Sequence, residues 1–176
     1  PETTVAFIVA PDEPYEGEDL NRVTEFVENG GTLVFLENFG EYRNDLLADL
    51  GASARLHGDI IRDEQHHYRG PLMPIATSVE NQTLTDGVDQ LTLNYATAVE
   101  PGNATVLVRT SEFAYLVEDK DQEISDDDEL TSYPVATVEA SGNGNIVVVG
   151  DPSITINAMR AQPDNAAFLT RLYSQE

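Results

Sequence analysis

The chain has 176 residues and no cysteine, with 32 Asp plus Glu against 9 Lys plus Arg and a net charge of −23. These figures exclude disulfides, zinc–thiolate centres and any cysteine nucleophile, and a surface this acidic has nothing with which to neutralise nucleic-acid phosphates. The length suits one domain, 1–176, and no apolar run reaches the ~18 residues of a membrane span.

Only one of the nine basic residues is a lysine, Lys120. At low ionic strength such a surface repels itself and opposes the compact state. In molar salt the Debye length falls to about 3 Å and the repulsion largely vanishes. Acid excess with almost no lysine, spread along the chain, therefore fits adaptation to extreme salinity better than a patch for one basic partner.

In chain order, "TVAFIVA" (4–10) reads as a fully buried strand and "PDEPYEG" as a loop. The early strand, with no signal peptide before it, predicts a domain cut from something longer. Leu20, Val23, Phe26 and Val27 then keep helical spacing, and Gly30-Gly31 ends that helix. "TLVFL" (32–36) is a second buried strand. It is followed by a helix with Leu46, Leu47 and Leu50 on one face and Gly51 as its stop. A βαβα order implies parallel strands.

The middle, 53–103, is less regular. "ARLHGDIIRD" fits two short strands, "HHYRGPLMPIAT" is a proline-punctuated excursion in which Tyr68 covers core, and "QLTLNYA" alternates as a strand does. The last third is β-rich: 104–110, 113–118, 133–140 and 145–150 read as strands, with a hairpin turn at "SGNGN". Asp164 reads as the N-cap of a closing helix that buries Phe168, Leu169, Leu172 and Tyr173. The sum is a three-layer α/β/α sandwich on a mixed sheet, parallel in its first half with antiparallel additions.

Several stretches carry a family resemblance. "VAFIVAPDEPYEGED", "FVENGGTLVFLENFGEYRNDLLADLGA", "IIRDEQHHYRGPLMPIAT", "LNYATAV", "TVLVRTSEFAYL", "SYPVATVEASGNGNIVVVGDPSITINAM" and "DNAAF" together resemble the domain-of-unknown-function 4350 family in its haloarchaeal form. The resemblance implies a class I glutamine amidotransferase-like, flavodoxin-like fold. It also implies a membrane-anchored parent protein that holds this domain on one side of a transmembrane segment. No activity is established for the family.

In an open α/β sheet ligands bind beyond the carboxyl ends of the parallel strands. That rule selects Asp12 after the first strand, Glu37 and Asn38 after the second, and Asp151, Ser153 and Asn157 after the last. These residues form either a ligand crevice, with Glu37 and Asp151 as an acid/base pair, or the caps that any strand-to-helix junction needs. Amidotransferase chemistry lacks its thiol. None of His57, His66 and His67 sits beside a Gly-x-Ser-x-Gly elbow. His66-His67 with Asp63 and Glu64 has no helical metal-ligand spacing.

The loop "DKDQEISDDDEL" alternates oxygen ligands at Asp119, Asp121 and Glu123, then Asp126 and Asp128. This is a degenerate calcium-type pattern, with Ile124 where the turn glycine belongs. Asn81-Gln82-Thr83 and Asn103-Ala104-Thr105 are N-glycosylation tripeptides for an exported protein.

Three functions follow as expectations. The first is a non-catalytic domain binding a protein or small molecule, with no cofactor and no nucleic acid, placed outside the cytoplasm on a membrane-anchored parent. The second is a hydrolase or transferase using Glu37 and Asp151. The third is a structural module holding calcium or another cation. The binding reading expects an exposed apolar patch near Phe39, Tyr42 or Tyr68.

Overall fold

The computed structural model describes residues 5–174. Thr4, placed in the first strand by its sequence, lies outside them. The strands are β1 (Val5–Val9), β2 (Thr32–Leu36), β3 (Arg55–Asp63), β4 (Ile75–Ala76), β5 (Ser78–Val79), β6 (Leu91–Thr92), β7 (Thr97–Glu100), β8 (Thr105–Arg109), β9 (Ala114–Val117), β10 (Pro134–Ser141) and β11 (Gly144–Val149). The helices are α1 (Gly17–Glu28), α2 (Asp45–Asp49), α3 (Asn157–Arg160) and α4 (Asn165–Tyr173). The fold is mixed α/β, and strands dominate it.

The principal sheet has the order β1-β2-β11-β10-β8-β5. β1, β2 and β11 run parallel, and β10, β8 and β5 continue the sheet antiparallel. The parallel half thus unites the first two strands with the last. A second antiparallel sheet, β7-β3-β9, and the pair β4-β6 complete the strands.

Side-chain alternation explains why both faces of β2 and β11 are buried, whereas β1, expected to be fully buried, is the edge strand and leaves Phe7 and Val9 exposed. Leu33 and Phe35 of β2, with Ile146 and Val148 of β11, pack with Val27 of α1, Leu46 and Leu47 of α2, and Leu56 and Val99 of β3 and β7. Val34, Leu36, Val147 and Val149 face the other way, against Phe168 and Leu172 of α4 and Leu91 of β6. Strands as well as helices therefore cover this sheet.

Several local expectations change. Residues 55–63 form one strand, not two, with a register shift between Leu56 and Ile60. α2 is a single turn because Asn44, just before it, is fixed crosswise: its Oδ1 accepts from the Leu56 N–H at 2.8 Å and its Nδ2 donates to the Leu56 carbonyl at 2.9 Å. The "QLTLNYA" strand stops at Thr92, since the chain must reverse through Tyr95, whose φ is +54°. Tyr173 is 72% exposed at the outer end of α4, and Tyr68 is 41% exposed, so neither covers core. The hairpin between β10 and β11 turns at Gly142-Asn143, with Gly142 in the left-handed region its turn requires.

Candidate functional site

The carboxyl ends of β2 and β11 lie side by side, with Leu36 paired to Val149. One residue further, the Glu37 N–H donates to the Val149 carbonyl at 3.2 Å. Gly150 donates to the Val135 carbonyl and accepts from the Thr97 N–H at 2.8 Å. A Cβ at position 150 would run into the Thr97 carbonyl, so only glycine lets the strand pass there. The stretch "GDPS" is thus positioned by three neighbouring strands.

Glu37 is 3% exposed. Its Oε1 accepts from the main-chain N–H groups of Asn38 (2.7 Å) and Gly40 (3.3 Å). Asp151 is fully buried. Its Oδ1 accepts from the Ser153 N–H at 2.8 Å, capping the 3₁₀ turn Pro152–Thr155, and its Oδ2 accepts from the Asn94 N–H at 2.7 Å. Burial pushes the Asp151 carboxyl up to about 6, against the lowering effect of these hydrogen bonds, and no charged neighbour contributes to the shift.

Asn38 completes the connection. Its Nδ2 donates to the Tyr95 carbonyl at 3.0 Å, and its Oδ1 accepts from the Phe39 N–H. The 94–95 turn is therefore held from two sides, by Asp151 and by Asn38. Ser153 Oγ reaches the Asn94 carbonyl at 3.4 Å. Asn157 is exposed at the start of α3. Asp12 is exposed too and lines a separate cleft of about 660 Å³ with Glu13, Tyr15, Asp19 and Arg22, away from the Glu37 and Asp151 carboxylates. Four of the six crevice candidates, Glu37, Asn38, Asp151 and Ser153, thus share one hydrogen-bonded junction.

Two aromatic residues adjoin that junction in the chain, Phe39 next to Asn38 and Tyr95 next to Asn94. Phe39, Tyr95 and Tyr68 are all exposed by more than a third, while Tyr42 is half-buried. Tyr95 is a large side chain held at positive φ, a backbone state that such residues rarely adopt unless their surroundings impose it.

The acidic loop bonds two of its carboxylates within itself. Asp119 Oδ1 accepts from the Asp121 N–H, and Asp128 Oδ2 accepts from the N–H and hydroxyl of Ser125. Asp119, Asp121, Glu123 and Asp126 are exposed. Among the described residues no three His, Asp or Glu side chains converge on a point that would hold a metal ion. The loop is anchored instead by Arg62, whose Nη1 donates to the carbonyls of Lys120 and Gln122.

Three residues anchor loops in ways the sequence does not show: Glu139 and Asn165 carry no sequence signal, and Asp63 stands out only beside the His66-His67 pair. Glu139 of β10 accepts from Ser53 N, Ser53 Oγ and Ala54 N, fastening the entry to β3 onto the principal sheet. Buried Asn165 exchanges hydrogen bonds with both main-chain groups of Thr92. Buried Asp63 accepts from Gln65 N, His66 N and Ser111 Oγ. Asp164 stands at the helix N-cap position as expected, and its carbonyl accepts from the Phe168 N–H, but its side chain makes no cap bond in α4 and instead accepts from Asp89 N and Gln90 N. Each of these side-chain bonds joins residues 48 to 86 positions apart or turns on local loop shape, so no sequence spacing announces it.

The family model of DUF4350, a domain of unknown function, matches residues 1–173. The chain belongs to the DUF4350 family. No curated protein matches this DUF4350 domain significantly. Among solved structures it is similar to the mmIFT52 N-terminal domain, at 11% identity and a TM-score of 0.74, over 98% of this chain and 76% of that one. It is also similar to a β-galactosidase from Bacillus circulans sp. alkalophilus (17% identity, TM-score 0.56, 98% of this chain but 22% of that one). A third similarity is to a putative ThuA-like protein from Bacteroides uniformis (13% identity, TM-score 0.54, 97% and 67%). The chain spans about a fifth of the β-galactosidase. At these identities the likeness concerns the fold alone.

Proposed function

We propose that this DUF4350 domain is a non-catalytic ligand-binding or protein-interaction domain, carried outside the cytoplasm by a membrane-anchored haloarchaeal protein. Its framework is the glutamine amidotransferase-like, flavodoxin-like three-layer sandwich, kept without the thiol that powers amide transfer. One observation carries the reading. The two strand-end carboxylates, Glu37 and Asp151, are buried and bonded to main-chain N–H groups, while the side chains left at the surface beside them are the aromatic rings of Phe39 and Tyr95. Carboxylates so engaged position loops; exposed aromatics on a held turn are contact surface.

The test is a panel of amide, ester and glycoside substrates offered to the purified domain in concentrated brine. The reading predicts no rate above buffer for any of them. Saturable turnover that is lost in Glu37→Gln or Asp151→Asn, with the fold intact by circular dichroism, would overturn it.

The competing reading, an enzyme acting through Glu37 and Asp151, has one observation in its favour. An Asp151 carboxyl near 6 exchanges its proton close to neutral pH, as a general acid or base must. The same substrate panel decides between them.

A further inference from the structure

The two glycosylation tripeptides lie 22 residues apart in sequence, yet the sheet brings them to one margin. Asn81 leaves β5, the edge strand opposite β1, and Asn103 leads into β8, the strand paired with β5. Glu80 donates from its N–H to the Leu107 carbonyl, so the chain at Asn81 runs alongside the first half of β8. Thr105, the first residue of β8, stands opposite Val138 of β10, and Asn103 precedes it by two positions. Both asparagines thus border the β5–β8 margin, beyond β11 and β10 from the strand end that carries Glu37.

Each tripeptide is presented as glycosyl transfer needs it. Asn81, Thr83, Asn103 and Thr105 are all exposed. Neither asparagine amide, and neither threonine hydroxyl, has a hydrogen-bond partner among the described residues. The backbone around them is fixed, which keeps them outside the core. Gln82 and Thr85 lock the turn after Asn81 with reciprocal bonds, and the Asn103 turn is closed by Ala104 N to the Pro101 carbonyl at 2.8 Å. The Asn103 N–H is docked on Ser53 Oγ at 3.0 Å.

From this arrangement we infer that Asn81 and Asn103 are a pair of N-glycosylation sites that sheathe the β5–β8 margin and leave the aromatic strand-end surface bare. The inference rests on the outward placement proposed above. The co-reactant is an oligosaccharide linked through phosphate to a membrane lipid. The asparagine Nδ2 bonds to the anomeric carbon of the sugar, the bond from that carbon to the phosphate oxygen breaks, Nδ2 gives up one proton, and the lipid phosphate departs. No oxidation or reduction occurs. In a chain of charge −23, a neutral sugar layer adds bulk and solvation without adding charge of either sign.

The test uses the full-length protein in the cells that make it. Protease added to intact cells reports the placement of the domain, and mass spectrometry of the peptides holding Asn81 and Asn103 reports the modification. The expected result is cleavage of the domain from outside, with both peptides heavier by a glycan. Asn81→Gln and Asn103→Gln each remove one glycan. Thr83→Val and Thr105→Val remove the same glycans with the asparagine still present, and Thr→Ser at either place restores it. A domain that is cleaved from outside but carries both peptides at their unmodified mass overturns the inference and leaves the placement standing. A domain shielded from protease, with unmodified peptides, overturns both.

Discussion

The Asp151 carboxylate accepts the Asn94 main-chain N–H at 2.7 Å, and this bond ties the end of β11 to the turn that presents Tyr95. The same carboxylate caps the next 3₁₀ turn through Ser153. An acid with no charged partner, sealed from water, works here as a structural pin between two segments.

Its titration has a definite sign. Burial raises the folded-state value from 3.8 to about 6, so between those values the folded protein holds a proton that the unfolded chain has released. The stability contributed by this group is present below about pH 4 and lost as pH rises through about 6, an effect of about 3 kcal/mol for a shift of roughly two units. Asp151→Asn cannot ionise. The stability of the wild type relative to that variant is therefore expected to fall by about this amount between about pH 4 and about pH 7, measured by denaturant unfolding at constant salt. A difference that is flat or rises with pH would show that burial does not dominate at this carboxyl.

Glu139 is expected to matter for stability, although nothing in its neighbourhood suggests chemistry. Replacing it by Ala leaves the Ser53 and Ala54 N–H groups without their acceptor. The expected loss is about 2–3 kcal/mol, the range for part-buried donors stripped of a charged partner. Glu118→Ala, on an exposed glutamate, serves as the comparison and is expected to fall within about 0.5 kcal/mol of wild type.

Salt tests the charge argument. With a net charge of −23, raising the ionic strength from about 0.1 M to about 1 M shortens the Debye length from roughly 10 Å to roughly 3 Å. The melting temperature is expected to climb over that interval, and to climb equally in sodium and potassium chloride if screening is the cause. A flat response would remove self-repulsion as a determinant of this fold's stability.

The parallel strands were readable because each is a continuous apolar run between turn residues: Val5 to Val9, Thr32 to Leu36 and Ile146 to Val149. The strand-end rule points to Asp12, Glu37, Asn38, Asp151, Ser153 and Asn157, of which Glu37, Asn38, Asp151 and Ser153 meet at one junction while Asp12 and Asn157 stand exposed apart from it. The middle resisted because its structure is set by distant partners. Tyr95 takes its left-handed turn with its carbonyl bonded to Asn38 and its N–H to the Leu72 carbonyl, 57 and 23 residues away. Phe39, Tyr68 and Tyr173 stay exposed although their residue type favours burial, and periodicity alone cannot separate a core aromatic from a surface one.

Amide hydrogen exchange at Asn38, Gly40, Asn94 and Ser153 tests the central claim, that the strand-end carboxylates hold loops in place, more directly than any other measurement. All four amides are predicted to be protected in the folded protein. Asp151→Ala should speed exchange at Asn94 and Ser153 at least tenfold, and Glu37→Ala should do the same at Asn38 and Gly40. Exchange at these positions as fast as in an open loop, unchanged by either substitution, would mean that the carboxylates are free for chemistry and would contradict the account.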